Sequence, residues 1–226
     1  VEKERKDALE MAEKKKKKNE KSAEEARRKA MTGVVVGIDL AGSEKRPTGF
    51  CIMDLSLNAR TSILYTDSQI LHEVTKTEAK IVCIDAPLSL PKGRKSIEDR
   101  FGPHFRVCDM ELRKRHIRFF PITLGPMRML TERGIRIKKR LEGMGFRVFE
   151  CFPGGAQDAL NMPRKQEGLN LLARALRKHG IKGLKPSATG DELDAATCAL
   201  VGVDYVLGKY EKLGEESEGI ILMPKP

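Results

Sequence analysis

The chain has no apolar run of about 18 residues, so no membrane-spanning helix is expected. Its amino-terminal stretch lacks an apolar signal core; export is not expected, and the expected compartment is the cytoplasm. The five cysteines include no C-x-x-C pair, and the four histidines show no ligand spacing, which argues against a zinc site. Cys51, Cys83, Cys151 and Cys198 lie inside apolar runs and read as small buried hydrophobes, as suits a reducing compartment. There is no P-loop to cradle a nucleotide and no internal repeat.

What is present is charge. Of 226 residues, 33% are charged and 40% hydrophobic, and the net charge is +11. That is long enough for a globular domain with a real core plus an appendage. Residues 1–30 are a charged extension without an apolar stripe, so the expectation is an appendage, helical or disordered, followed by a domain over residues 31–226. The remaining surplus is concentrated. Residues 92–140 carry fifteen basic residues against five acidic ones, and the rest of the domain is slightly acidic. Such a segment fits a polyanionic partner, nucleic acid first among them. The competing reading is a solvated, lysine-rich surface.

Hydrophobic patterning supplies the architecture. "VVVGIDLAG" (34–42) is a continuous apolar run, as in a strand buried on both faces. "TGFCIMDL" (48–55) and "TSILYT" (61–66) follow across short turns, predicting an antiparallel meander. A helix is expected over 67–79, capped by Asp67 or Ser68, then a strand over 80–90 and a loop over 91–105. Basic helices are expected over 106–118 and 124–143, a fifth strand over 146–153, and an amphipathic helix over 164–180 ended by Gly180. A last helix opens at Thr189, and "GIILMP" (219–224) is a candidate terminal strand. This order predicts an α/β fold, a mixed sheet flanked by helices.

The chemistry lies where apolar elements end in acid. "VVVGIDLAGS" and "KIVCIDAPLS" both finish a buried strand on Ile-Asp. If the two strands are parallel neighbours, Asp39 and Asp85 project from one carboxyl edge, the edge at which open α/β sheets bind ligands. A lone Asp there is explained as a turn former; a matched pair asks for something to offset its desolvation. The late helix adds a third acidic group in "TGDELDAATCAL". Thr189 and Glu192 fit a capping box, and the helix dipole favours Asp191 in the first turn. Neither explains Asp194, which shares a face with Asp191 and continues into Cys198 and Val201. Ala195 and Ala199 flank that face and permit a close approach to the sheet. Carboxylates gathered in this way cannot all stay ionised without compensation. An oxygen-only set lacking His and Cys suits Mg²⁺ or Mn²⁺. Two such ions can activate water and stabilise a departing oxygen in phosphoryl transfer. Arg94, Arg100, Arg106, Arg113 and Lys114 are the candidates for holding a nucleic-acid backbone. Glu150 is a further ligand candidate at the same edge, with a salt bridge to a neighbouring arginine as the alternative.

Taken together, "GIDLAGSEKRPTGF", "CIDAPLSLP", "RVCDMELRKR", "FPITLGPM", "FECFPGG" and "TGDELDAATCAL" resemble the domain-of-unknown-function family 429 over roughly residues 33–224. That family is described as predicted nucleases of the RNase H fold. The resemblance implies an RNase H-like five-stranded sheet of order 3-2-1-4-5. It also implies Asp39 as the central metal ligand, Asp85 as the fourth-strand acid, and Asp191/Asp194 as a late helical pair like that of RuvC-type junction resolvases. Many RNase H-fold nucleases take an acid from the first helix, where Glu73 is the candidate here. The resulting expectation is a divalent-metal-dependent nuclease. Two alternatives stand beside it: a non-catalytic nucleic-acid-binding protein on the same fold, and a phosphotransferase of the actin/sugar-kinase kind, which normally needs two such domains.

Overall fold

The computed structural model describes residues 33–225. The charged extension of residues 1–30 lies outside the described residues.

Three strands open the described chain: β1 (Val34–Asp39), β2 (Thr48–Asp54) and β3 (Ala59–Leu64). They form the antiparallel meander expected from their short connections. Helix α1 (Asp67–Thr75) is capped by Thr66, one residue before the expected cap; the Thr66 side chain accepts from the Gln69 backbone N–H, and Gln69 completes the box. It leads to β4 (Ile81–Asp85), which runs parallel to β1, and β4 in turn pairs in parallel with β5 (Arg147–Cys151). Between β4 and β5 lie α2 (Val107–Lys114) and α3 (Gly125–Gly143). After β5 come α4 (Pro153–Ala159), α5 (Leu169–Lys178) and α6 (Gly190–Val206), then the hairpin of β6 (Tyr210–Glu215) and β7 (Gly219–Pro224).

The sheet order is β3-β2-β1-β4-β5-β7-β6. Its first five strands have the RNase H-like order 3-2-1-4-5, with β1, β4 and β5 parallel and β2 antiparallel. Two strands beyond the expected five extend the sheet past β5. The terminal strand 219–224 pairs with β5 in parallel and brings in β6, whose charged sequence "YEKLGE" gave no strand signal.

The two-residue period of each strand divides the core. Val36, Ile38 and Phe50 pack with Ile70 and Val74 of α1 and Ile137 and Leu141 of α3 on one face. Val35, Cys51 and Met53 pack with Leu172 and Leu176 of α5 and with Leu193, Ala196 and Ala199 of α6 on the other. Asp39 follows the parity of Val35 and Gly37, and Asp85 follows that of Cys83, so both acids belong to the α6 face. Contact there is very close. A Cβ placed on Gly37 would collide with the Ala195 carbonyl oxygen and the Ala199 backbone nitrogen; one on Gly49 would collide with the Asp191 carbonyl. Glycine at these two positions lets the start of α6 lie directly on β1 and β2. Among the described residues no helix is long and apolar enough to cross a membrane.

Candidate active site

Asp39 and Asp85 are register partners at the ends of parallel strands, and neighbouring strands lie about 4.8 Å apart. Thr48, fully buried at the start of β2, accepts a hydrogen bond from the Ala41 backbone N–H at 3.1 Å and fixes the turn just after Asp39. Helix α6 begins over this edge. Its capping box forms as the sequence predicts: Thr189 accepts from the Glu192 N–H, and Glu192 accepts from the Thr189 N–H at 2.9 Å. Glu192 also accepts from the Thr61 hydroxyl at 2.8 Å, so both its oxygens are used in holding the helix start.

Asp191 and Asp194 are left to face the strand ends, and a lysine joins the acids. Lys165 Nζ lies 2.7 Å from Asp194 Oδ2, 3.3 Å from Asp39 Oδ2 and 3.5 Å from Asp191 Oδ1. The other Asp194 oxygen accepts from Gln157 Nε2 at 2.8 Å, and the same nitrogen donates to Thr197 Oγ1 at 3.1 Å. Gln157 is buried in α4 and Lys165 sits in the link between α4 and α5. The sequence reading had singled out neither. It placed Lys165 inside a helix over 164–180, but Gly168, at φ 145°, delays α5 to Leu169. It had no element at Pro153–Ala159, although Pro153 directly after a strand is a helix-start signal.

The electrostatics show an excess of negative charge. Burial pushes the Asp39 carboxyl up to about 7, with Lys165 pulling the other way and Asp194 and Asp191 adding to the rise. Asp85 is raised well above the carboxylate range by its burial, and then by Asp39 and Asp194. Burial opposes the charge on Lys165, but Asp39, Asp194 and Asp191 outweigh it and hold the ammonium protonated. One ammonium therefore meets three carboxyl groups, with Asp85 buried beside Asp39.

The other expected site residues lie elsewhere. Glu150 pairs in register with Ile84, and strand alternation sets it on the face opposite Asp85. Its oxygens accept from Arg106 Nη1 at 2.6 Å and Nη2 at 2.7 Å, and from the Leu88 backbone N–H at 2.8 Å. The salt-bridge alternative describes Glu150; it does not join the acids at Lys165. Arg106 needs the matching correction. It is 2% exposed and forks between Glu150 and Asp109, so it presents nothing to a phosphate. Arg94 is likewise buried, donating to the carbonyls of Asp99 and Pro103 to close its own loop. Arg100, Arg113 and Lys114 are exposed. Glu73 lies on α1, across the sheet from α6, and pairs with Lys76 at 3.1 Å.

Descent is decided by the sequence over most of its length: the family model described as "Protein of unknown function (DUF429)" matches residues 37–219. The chain belongs to the DUF429 family. No curated protein matches it. Among solved structures, a chain described as "Thermus thermophilus RuvC structure" superposes with a TM-score of 0.43 at 16% identity, covering 77% of this chain and 96% of that one. A superposition at this level carries no functional weight; the RNase H-like arrangement of this DUF429 protein is carried by its own strand order.

The acids of the DUF429 site bear on whether it could hold a divalent ion. Among the described residues no three carboxylate, histidine or cysteine side chains are posed as a closed metal shell; the centre of the acids is taken by the Lys165 ammonium. The donor chemistry fits nonetheless. The groups are hard oxygens on a rigid sheet edge and a capped helix, and they are desolvated enough that two of them resist ionisation. A cation is what such a set lacks.

Proposed function

We propose that this DUF429 protein is a divalent-metal-dependent nuclease hydrolysing phosphodiester bonds of nucleic acid. The observation that carries the reading is the gathering of Asp39, Asp191 and Asp194 on one cation position, with Asp85 in register beside Asp39. Asp39, Asp85, Asp191 and Asp194 are the residues that would hold Mg²⁺ or Mn²⁺. When bound, such an ion lowers the pKa of water and neutralises charge on a phosphoryl oxygen.

The chain's own residues do the rest. Strand β1 and helix α6, locked through Gly37 and Gly49, hold the carboxylates with little reorganisation. Gln157 fixes one Asp194 oxygen and leaves the other toward the cation position. Lys165 supplies positive charge to the cluster, and, being only half-buried, it would be able to turn toward a phosphate if a divalent ion were held there. Arg100, Arg113 and Lys114 offer sequence-independent backbone contacts.

The test is incubation of the purified chain with labelled single-stranded, duplex and branched DNA and RNA in Mg²⁺ or Mn²⁺. Cleavage that needs the ion and falls about a hundredfold or more in Asp39→Asn and in Asp194→Asn is expected, the usual scale for losing a group that stabilises the transition state. Cleavage surviving both substitutions would remove the proposal.

A further inference from the structure

Phosphodiester hydrolysis by itself asks only for acids, a cation and contacts to the backbone. This site has something more. The acid cluster forms one wall of a cavity of about 880 Å³, with Asp85, Asp194 and Lys165 on that wall. Four phenylalanines, Phe105, Phe119, Phe120 and Phe152, line it together with aliphatic side chains such as Leu112 and Ile122 and the buried Arg106 group. Those are four of the chain's eight phenylalanines, a concentration that marks the cavity off from the rest of the surface. Phe105 and Phe119 meet edge to face at 5.9 Å and form the fixed part of the lining. Phe120 is 67% exposed and, among the described residues, packs on no other ring. Arg113, Arg118 and Arg164 line it as well. The Arg164 guanidinium lies 5.7 Å from the Phe152 ring centroid, and Asp158 holds it in place through Nε at 2.9 Å.

A paired duplex has no use for such a pocket, because its base faces are stacked inside the helix. An unpaired nucleotide presents both a flat apolar face for stacking and an anionic phosphate for the arginines. The volume lies in the range of about 300–1,000 Å³ for sites that enclose small ligands. Aromatic rings, arginines and an acid cluster at one side match base, phosphate and scissile bond in turn.

We infer that the substrate is nucleic acid with an unpaired nucleotide, whose base enters this cavity and stacks on Phe120 while its phosphate reaches the acid cluster. The inference rests on the nuclease reading for the choice of nucleic acid as ligand, so its test measures binding separately from cleavage. Fluorescence anisotropy at low ionic strength in EDTA would follow labelled oligonucleotides that are single-stranded, fully paired, or paired with one bulged nucleotide. The single strand and the bulge should bind about tenfold more tightly than the paired duplex, as stacking of one base supplies. Phe120→Ala should abolish that preference. Phe101→Ala should leave it intact, because Phe101 is 89% exposed but lies outside the cavity. Equal affinity for the paired duplex, or wild-type preference in Phe120→Ala, overturns the base pocket. The two readings fail separately: metal-dependent cleavage without the preference leaves a nuclease and removes the pocket, whereas the preference without cleavage of any substrate leaves the pocket and removes the nuclease.

Discussion

Two buried acid clusters stand near the same end of the sheet, and they are built on opposite accounts of charge. Around Arg106, two carboxylates share one guanidinium, and Ser89, the Leu88 N–H and the Arg106 N–H complete the shell. Every donor has its acceptor, and Arg106 is held protonated against its own desolvation by Glu150 and Asp109. Around Lys165, three carboxyl groups share one ammonium that is itself 30% exposed, and Asp85 lies in register beside Asp39 with no cation of its own among the described residues. The first cluster is complete and pins the long loop after β4 to β5. The second is short of positive charge, and on the proposed reading that deficit, rather than the presence of acids, is what a divalent ion would offset.

Substitutions can break this contrast, and the largest effect belongs to the complete cluster. Arg106→Met strands two buried carboxylates, so a loss of about 3–5 kcal/mol in unfolding free energy is expected by urea denaturation, with no recovery on adding Mn²⁺. At the other cluster the sign reverses. Asp39→Asn removes a carboxyl that the fold holds at about 7 against an ordinary 3.8. The metal-free protein should gain about 2–4 kcal/mol above pH 7, while losing its response to Mn²⁺. The same shift fixes a pH dependence. Between pH 3.8 and about 7 the folded chain keeps a proton that the unfolded chain has released. The Asp39 contribution to metal-free stability should therefore fall as pH rises through that window, and Asp85, raised further still, adds to the fall. Thermal melts from pH 5 to 8 check this, and Mn²⁺ should raise the melting temperature more at pH 8 than at pH 5, because the ion needs ionised ligands.

Smaller effects sharpen the comparison. Gly37→Ala forces β1 and α6 apart, and overpacking of this kind costs about 1–3 kcal/mol; the two acids of α6 should lose their alignment with Asp39 and metal affinity should drop with stability. Lys165→Met should cost about 1–3 kcal/mol in the metal-free protein, less than Arg106→Met because the lysine is partly solvated and Asp39 beside it already holds a proton readily, and should tighten Mn²⁺ binding by about tenfold, or ~1.4 kcal/mol, in calorimetry by removing the competing cation. Losing both Arg113 and Lys114 should reduce the salt dependence of nucleic-acid binding by about one charge for each residue that touches a phosphate.

Much of this geometry was legible beforehand, and the reason is periodicity. Continuous apolar runs ending in Ile-Asp identify central strands and their acidic ends, and the capping box at Thr189 assigns Glu192 to structure while leaving Asp194 unexplained. Short links identify the β1-β2-β3 meander, whereas the full order β3-β2-β1-β4-β5 is what the family resemblance implies. Lys165 was not legible: it lies in an irregular link, and only the tertiary fold carries it to Asp194. Gln157 was hidden with its helix, a short element behind Pro153 and two glycines. The basic segment misled for another reason. Charge along a sequence does not say which arginines are already paired, so Arg94 and Arg106 read as phosphate contacts when they are internal struts. Glu150 could have been separated from Asp85 by strand parity alone, once the register of β5 against β4 was known.

The central claim is that the Lys165 cluster is a divalent-ion site. A crystal grown at pH 8 with Mn²⁺, measured at a wavelength where manganese scatters anomalously, tests it most directly. An anomalous peak bounded by Asp39, Asp85 and Asp194, with the Lys165 ammonium moved away, is the result expected. Lys165 still seated among the carboxylates at saturating Mn²⁺, with no peak beside them, would contradict it.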